Sequence, residues 1–370
     1  MELAPFSARR VLQRLAGGID GPLLTLSLIL VVLGLATLFS ASYEQPARVT
    51  SQATSLLVAL AAMWLFARVP PQTLMRFAVP AYLVGIALLV AVALAGDVVN
   101  GARRWLHVGV ARFQPSEMMK LALPLMLAWY FHKNESTLRL RDFAVAALLL
   151  VLPVLLIARQ PDLGTAVLVA AAGFYAIFFA GVGWRILATL GVLGFASLFP
   201  LWGMLHDYQR RRILTLIDPT QDPLGAGYHT IQSTIAVGSG GITGKGWLHG
   251  TQTHLEFIPE KHTDFIFAVF SEEFGLIGNV VLLTIYALLI ARGLMIAANA
   301  PTFFSRLLAA TITLMFFTYA FVNMGMVSGI LPVVGVPLPF VSYGGTALLT
   351  LFIGIGILMS VHSHRRLVQT

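Results

Sequence analysis

The sequence predicts an all-α polytopic membrane protein, and three observations support this fold class. Hydrophobic residues make up 58% of the 370-residue chain and charged residues only 11%, whereas soluble domains carry about 25% charged residues. Long, continuous apolar runs recur along the chain, each close to the roughly 20 residues that a membrane-spanning helix needs. Cysteine is absent, which excludes disulfides and thiolate metal sites.

Ten apolar runs of spanning length, or just short of it, follow one another along the chain. They predict about ten transmembrane helices, at residues 22–39, 53–67, 77–95, 118–131, 143–158, 163–182, 186–204, 265–290, 307–329 and 341–361. The second and fourth runs are short, so we expect these helices to extend into the flanking polar residues. The first run is longer than the apolar region of a cleavable signal peptide and lacks an Ala-x-Ala site after it, which predicts a spanning helix.

The distribution of Lys and Arg predicts the orientation of the chain. Ten spans place both termini on one side, where thirteen Lys and Arg residues lie, against five in the opposite short loops. The positive-inside rule therefore predicts cytoplasmic termini for a multi-pass membrane protein. Residues 205–264 then form a large external loop between helices seven and eight. No repeat or linker is evident, so residues 1–370 are predicted to be a single membrane domain that includes this loop.

Asp264 is the candidate catalytic residue, because it ends the polar loop directly before the apolar run that begins at Phe265. A carboxylate at the rim of a spanning helix is costly to hold there, which makes it a functional candidate. The His and acidic residues before it lack a zinc-ligand spacing, and His262 is a candidate substrate ligand. No tightly bound cofactor is expected. A loosely held Mg²⁺ or Mn²⁺ shared with a substrate phosphate would suit the carboxylate.

Glu117 and Lys120 are a second polar feature of the membrane region. They lie three residues apart in the fourth predicted helix, so they share one helix face and can pair. Such a pair can pin the helix to its neighbours, can line a hydrophilic cavity, or can do both.

Arginines on the outer side predict a ligand that carries phosphate. A guanidinium can bond two phosphate oxygens at once, so we expect the group to hold an anionic headgroup at the outer leaflet. Each arginine taken alone can also be an ordinary interfacial residue. The group comprises Arg48, Arg103, Arg104, Arg112, Arg210, Arg211 and Arg212.

Two glycine-rich stretches interrupt the apolar pattern. Residues 238–246 resemble a P-loop in composition, but Ser239 stands where the Walker pattern needs Gly, and Gly246 stands where it needs Ser or Thr. A flexible or tightly turned loop is predicted instead, whose N–H groups can meet an anion and which offers Lys245 as a ligand. Residues 331–345 contain three prolines and cannot form regular helix. They predict a re-entrant loop or a wall of the substrate site.

Taken together, these motifs resemble the SEDS family of shape, elongation, division and sporulation proteins. The matching stretches run from the third predicted helix to the C-terminus and comprise residues 101–120, 160–166, 222–233, 238–246, 257–267, 272–275 and 337–345. The compact N-terminus and residues 334–339 favour the elongation branch over the division branch. Thr346 replaces the commoner Ser, a slight departure.

The resemblance implies a peptidoglycan glycosyltransferase that polymerises lipid II at the outer face of the bacterial inner membrane. The large loop of residues 205–264 would then be periplasmic. It implies that Asp264 is essential. Because the acceptor hydroxyl must be activated as undecaprenyl pyrophosphate leaves, we expect Asp264 to be either the general base or a metal-linked activator of that hydroxyl. It also implies that Glu117 and Lys120 matter for activity, adds Asp162 to the candidate substrate ligands, and implies a class B penicillin-binding protein as partner within the elongation machinery.

Two other functions compete with glycosyl transfer. A lipid II flippase would also combine ten spans, an intramembrane ion pair and broken helix entries. A non-catalytic membrane scaffold for the penicillin-binding protein would explain the spans but not the costly polar residues. The placement of arginines, acidic residues and the long loop on the outer side favours the transferase.

Overall fold

A computed structural model describes residues 18–42, 45–99, 102–108, 111–204, 210, 214, 226–255, 257–258 and 260–364. Their helices are α1 (Gly21–Ala41), α2 (Pro46–Phe66), α3 (Pro71–Ala95), α4 (Pro115–Lys133), α5 (Leu140–Ala158), α6 (Leu163–Phe179), α7 (Trp184–Met204), α8 (Ala226–Ser239), α9 (Thr251–His254), α10 (Ile266–Ala298), α11 (Phe303–Val327) and α12 (Gly345–Ser363). A one-turn 3₁₀ helix spans Glu135–Thr137.

A helix lies at each of the ten positions that hydropathy predicts. Among the described residues, seven helices are long and apolar enough to cross a membrane, namely α1, α2, α3, α5, α10, α11 and α12, and α6 is apolar but shorter. The number of crossings therefore stays a prediction. The two short runs extend into polar residues as expected, since α2 begins at Pro46 and α4 at Pro115.

Helices α4 and α11 occupy the middle of the bundle. α11 packs against α4, α6 and α10, while α12 runs along α2, and α3 packs along α4. Most residues of α4 from Pro115 to Ala128 are buried. This position explains how α4 carries Glu117 and Lys120, because charged side chains within a bilayer are tolerated where they face protein or water rather than lipid.

Helix α10 is broken near its start, at Gly275, whose φ of 63° and ψ of −160° are not helical. Residues 241–246 of the glycine-rich loop satisfy the backbone groups that the break releases. The N–H groups of residues 276 and 277 donate to the carbonyls of 241 and 242, and those of 245 and 246 donate to the carbonyls of 272 and 273. The tightly turned loop predicted here is confirmed, but the N–H groups of residues 245 and 246 serve the helix, not an anion.

A small sheet and two short helices add to the predicted all-α fold. Strands β1 (Asp97–Val99), β2 (Ala102–Val108) and β3 (Ala111–Phe113) form an antiparallel meander between α3 and α4. Helices α8 and α9 lie inside the long polar loop, and α8 packs against α10. Strands β1 and β3 have three residues each, too few to show alternation, and β2 does not alternate apolar with polar residues.

The segment between α11 and α12 is irregular, as its prolines predict. Phe340 has a φ of 65°, and the Tyr286 hydroxyl of α10 donates to the Pro339 carbonyl at 2.6 Å. Ser342 Oγ accepts from the Leu338 N–H at 2.7 Å. Helix α12 consequently begins at Gly345, four residues later than the apolar run suggested.

Candidate functional site

Asp264 lies in a turn, residues 260–265, that leads directly into α10. The turn closes on itself, because the N–H groups of Thr263 and Phe265 both donate to the Glu260 carbonyl. Side chains and backbone from two other regions then hold it. Asn323 Nδ2 of α11 donates to the Asp264 carbonyl at 2.8 Å, and Ser342 Oγ donates to the Thr263 carbonyl at 2.6 Å. We call residues 260–265 the Asp264 turn.

The Asp264 carboxylate is half-buried, and among the described residues it makes no hydrogen bond or ion pair. Burial raises the pKa of this carboxyl from 3.8 to about 6, the Glu260 and Asp162 carboxylates add to the rise, and the Arg104 guanidinium opposes it. Desolvation disfavours the charged form of an acid, which explains the direction. The group is thus an unusually basic carboxylate with free oxygens, able to accept a proton or a metal ion.

Arg104 and Asp162 reach this region from separate elements. Arg104 lies on β2 and donates to the Gln160 carbonyl at 3.4 Å and to the Pro161 carbonyl. Asp162 caps the N-terminus of α6 through the Thr165 N–H at 3.2 Å. The residue just before α4 completes the arrangement, because Gln114 Nε2 donates to Asp162 Oδ2 at 3.0 Å. The structure therefore brings together three predicted site residues, Asp162, Asp264 and Arg104.

Gly335 forms the wall opposite the Asp264 carboxylate. Its φ is 72°, and a Cβ added there would lie 3.2 Å from Asp264 Oδ2. On its other side, the 334–336 segment packs on the start of α6, where a Cβ added at Gly164 would meet the Val334 carbonyl at 2.6 Å. Glycine is favoured at residue 335 by its positive φ and the nearby Asp264 side chain, and at residue 164 because the Val334 backbone leaves no room for a Cβ.

An apolar cavity of about 400 Å³ begins beside this wall. It lies between α6 and α11, and the Tyr175 hydroxyl and Thr318 Oγ1 hydrogen-bond to each other at 2.8 Å in its lining. The other lining residues are Val167, Phe317, Phe321, Val322, Leu331, Pro332 and Val334. Because Val334 directly precedes Gly335, one short segment borders both the cavity and the Asp264 carboxylate. We call this space the apolar cavity.

The predicted pairing of Glu117 with Lys120 is confirmed. Lys120 Nζ lies 2.6 Å from Glu117 Oε1, also donates to the Tyr319 hydroxyl, and has a side chain that is 1% exposed. Tyr319 belongs to α11, so the pair pins α4 to α11. The Asp162 carboxylate acts electrostatically on both Asp264 and the Tyr319 hydroxyl.

Lys245 has a protein partner that its sequence position did not reveal. Its Nζ lies 2.7 Å from Glu272 Oε1 and 2.6 Å from Thr251 Oγ1. Glu272 is fully buried and also accepts from the Gln252 and Thr253 N–H groups at 2.9 and 3.2 Å. Lys245 therefore folds the loop onto α10, and substrate binding by Lys245 stays a prediction.

The remaining candidate ligands are more dispersed. Arg48 is half-buried in the first turn of α2, and Arg103 is exposed on β2. His262 Nδ1 lies 3.1 Å from Ser42 Oγ, and Arg210 Nη2 donates to the Gly203 carbonyl at 2.8 Å. Of the others, Arg112 lies on β3 with only its backbone described, and Arg211 and Arg212 lie outside the described residues.

Sequence reasoning missed Asn323, Ser342, Gly335 and His229. The His229 ring stacks on Phe265 with centroids 5.8 Å apart, and its buried Nδ1 has no hydrogen-bond partner within the described part of the chain. Of these four residues, only Asn323 could have been recognised in the sequence, because a polar side chain inside an apolar spanning run is a candidate functional residue.

A metal ion at this site would need ligands from the substrate as well as from the protein. No group of three or more His, Asp and Glu side chains is placed to hold one in the described ranges. A divalent ion at Asp264 would therefore need phosphate oxygens and water to complete its coordination.

Comparisons with known proteins agree with this architecture. The FtsW/RodA/SpoVE family model, described as "Cell cycle protein", matches residues 22–367. The chain is 50% identical over 352 residues to "Peptidoglycan glycosyltransferase MrdB" of Escherichia coli (strain K12), covering 95% of each chain.

Two solved structures share the fold over nearly the whole chain. The Thermus thermophilus rod shape determining protein RodA superposes with a TM-score of 0.72 at 31% identity, covering 94% of this chain and 97% of that one. A structure described as "Structural coordination of polymerization and crosslinking by a peptidoglycan synthase complex" superposes with a TM-score of 0.82 at 35% identity, covering 94% and 98%.

Proposed function

Since this chain belongs to the FtsW/RodA/SpoVE family, we propose that it is a peptidoglycan glycosyltransferase that polymerises lipid II during cell elongation. It works at the outer face of the bacterial inner membrane. The observation that carries the proposal is the Asp264 carboxylate, which is half-buried, has a pKa of about 6 and offers oxygens without protein partners among the described residues. The MrdB relative carries the same activity in its name.

Asp264 serves as the base of the transfer. The 4-hydroxyl of the acceptor sugar attacks the anomeric carbon of the lipid-linked donor chain, and its proton passes to the Asp264 carboxylate. The new C–O bond forms as the bond to pyrophosphate breaks, and undecaprenyl pyrophosphate leaves with the bonding electron pair. A carboxyl with a pKa of about 6 is ionised at neutral pH yet more basic than an ordinary Asp, which suits a general base.

Arg104 stabilises the leaving group. Its guanidinium acts electrostatically on Asp264, so a pyrophosphate bound beside the carboxylate lies in the same field. Fixed positive charge at the place where negative charge develops lowers the barrier of such a step. The exposed Arg103 neighbours it on β2 and extends the positive charge towards solvent. A Mg²⁺ or Mn²⁺ held by Asp264 and the pyrophosphate would supply further charge.

The part of the prenyl chain nearest the pyrophosphate occupies the apolar cavity, and the rest of the chain lies in the bilayer. The volume of about 400 Å³ lies within the roughly 300–1,000 Å³ of typical ligand pockets. The cavity lies between two membrane helices, and the segment that borders it also borders Asp264. A lipid-linked substrate needs this arrangement, because its hydrocarbon chain stays in the bilayer while its pyrophosphate meets the polar groups.

The protein works with a class B penicillin-binding protein, and both its termini are cytoplasmic. The similar structure of a synthase complex that coordinates polymerisation with crosslinking supports such a partner. The excess of Lys and Arg on the N-terminal side supports the orientation.

A flippase explains the observed groups less well than a transferase does. Transport across the bilayer needs polar groups that line a path through both halves of the membrane. Here the intramembrane pair is sealed, since Lys120 is 1% exposed and bonded to Glu117 and Tyr319. A scaffold needs no half-buried carboxylate with a raised pKa.

Polymerisation of lipid II by the purified complex with its penicillin-binding protein tests the proposal. We expect long glycan strands from the wild type and none from Asp264→Asn, which keeps the shape of the side chain but cannot accept the proton. Glu135→Gln is the matched control, because it makes the same chemical change at an exposed position far along the chain. Wild-type rates in Asp264→Asn would refute the role of this carboxylate.

Vesicles that contain fluorescent lipid II separate the three functions. A transferase produces strands, a flippase moves lipid II between leaflets without strands, and a scaffold does neither.

Adding EDTA to the strand-synthesis assay tests whether a divalent ion takes part in the reaction. Loss of synthesis that added Mg²⁺ or Mn²⁺ restores would show that it does.

A further inference from the structure

Asn323 of α11 joins two separate segments of the candidate site. Its side chain is completely buried. Its Nδ2 donates to the Asp264 carbonyl at 2.8 Å and to the Val336 carbonyl at 2.6 Å. One amide group therefore ties the Asp264 turn to the 334–336 segment.

An asparagine side chain is well suited to this contact. Its NH₂ group has two donors and can serve two carbonyl oxygens at once, whereas Ser and Thr have one donor and an ionised Asp has none. Both carbonyls come from irregular backbone, where no helix or strand provides a donor. Leaving a buried carbonyl without a partner is costly, so the two bonds from Asn323 favour the arrangement in which these two segments lie side by side.

The two segments that Asn323 joins carry different parts of the site. The first carries the Asp264 carboxylate. The second contains Gly335, whose added Cβ would lie 3.2 Å from Asp264 Oδ2, and Val334, which lines the apolar cavity. Val322, directly before Asn323, also lines that cavity. The amide thus sets the distance between the carboxylate and the entrance of the apolar cavity.

We infer that Asn323 is a positioning residue for glycosyl transfer, which holds the Asp264 carboxylate in place relative to the entrance of the apolar cavity. The inference rests on the proposed function. A substrate bound by its hydrocarbon chain presents its sugar at a fixed distance from that cavity. The base must therefore be fixed with respect to the cavity as well as to the rest of the fold.

A second anchor keeps the effect of losing Asn323 local. Ser342 Oγ donates to the Thr263 carbonyl and accepts from the Leu338 N–H, and the Tyr343 N–H donates to the His262 carbonyl at 2.9 Å. These bonds hold the turn to the segment after residue 336 when the amide is removed. We therefore expect a displaced carboxylate in a folded protein.

Two substitutions and one control test the inference in the complex with the penicillin-binding protein. Asn323→Leu keeps the approximate shape and removes both donors, and Asn323→Ser keeps one. Thr313→Val is the control, because Thr313 is equally buried on the same helix but bonds only to the Ala309 carbonyl of that helix. The measurements are kcat and KM for lipid II, the melting temperature, and hydrogen exchange of the backbone.

We expect kcat to fall about 100-fold in Asn323→Leu and about tenfold in Asn323→Ser, because misplacing a reacting group by about 1 Å costs rate on this scale. KM and the melting temperature stay close to those of the control. Peptides that cover residues 260–265 and 334–338 exchange faster in Asn323→Leu only.

Two results would overturn the inference. One is an unchanged kcat in Asn323→Leu. The other is a loss of kcat that tracks a lower melting temperature, with wild-type activity in the fraction that remains folded. If the proposed function is wrong, the wild-type complex makes no glycan strands either. Hydrogen exchange of the two segments still shows in that case whether Asn323 joins them.

Discussion

Replacing Lys120 by Met should strongly destabilise the bundle. Lys120 Nζ contacts Glu117 Oε1 at 2.6 Å and the Tyr319 hydroxyl, and its charge lies 4.9 Å from the centre of the Tyr319 ring. The Glu117 side chain is 9% exposed, and its Oε2 already lacks a partner among the described residues. Lys120→Met therefore leaves a buried carboxylate with no compensating charge.

The expected loss is about 3–5 kcal/mol, the usual result of removing one partner from a buried ion pair. Removing both charges is far less harmful, since apolar replacements of buried pairs range from neutral to about 1–4 kcal/mol stabilising. The double variant Glu117→Leu with Lys120→Met, which makes both positions apolar, should accordingly recover most of the stability. The two single substitutions should not add, because the residues are in direct contact.

Equilibrium unfolding in mixed detergent micelles, followed by tryptophan fluorescence, measures the four members of this cycle. A double variant as unstable as Lys120→Met would refute the reasoning, because the loss would then come from packing of the lysine stem and not from the stranded charge. Glycan-strand synthesis by the double variant shows whether the pair only joins α4 to α11 or also takes part in glycosyl transfer. A stable but inactive double variant would indicate the second role.

Three further predictions concern the site and its loop. The polymerisation rate should fall about tenfold per pH unit below pH about 6, because the raised pKa of Asp264 leaves the carboxyl protonated there and unable to accept a proton; a flat pH–rate profile would contradict this. Gly335→Ala should slow polymerisation about tenfold, since its Cβ would press on Asp264 Oδ2, whereas Gly181→Ala shares the positive φ but meets nothing within 4 Å and should leave the rate unchanged. Glu272→Gln should speed tryptic cleavage at Lys245 about tenfold, because a hydrogen bond to a charged group contributes about 1.5–3 kcal/mol; unchanged cleavage would show that other contacts hold the loop.

Hydropathy and spacing predicted the positions of all ten long helices and the pairing of Glu117 with Lys120. Both are local properties, since a spanning helix needs one continuous apolar run and a pair at i and i+3 shares a face wherever the helix lies. Helix α12 begins at Gly345, where the segment predicted to be irregular ends, although the apolar run already begins at Val341. Hydropathy alone does not mark this boundary, because the apolar residues of the preceding segment are buried without being helical.

The glycine-rich loop shows where such reasoning stops. Its sequence excluded a P-loop and predicted a flexible or tightly turned loop. The break of α10 at Gly275 was not predicted, because a single glycine is tolerated inside a helix. Lys245 was predicted as a ligand, and nothing near it in the sequence indicated that it pairs with Glu272, 27 positions along the chain. Only packing brings a loop donor to a helix carbonyl at that separation.

The sequence by itself determined the membrane class and the order of the helices. It also singled out Asp264, a carboxylate that is energetically costly to hold at the edge of a membrane span. The tertiary structure determines the pKa of that carboxylate and the contacts that hold its turn in place. Burial beside Glu260 and Asp162, against Arg104, raises its pKa to about 6, and Asn323 holds its turn from 59 positions away. Hydrophobic patterns are read within one stretch of chain, whereas desolvation, electrostatic potential and hydrogen bonds between distant segments depend on which surfaces meet.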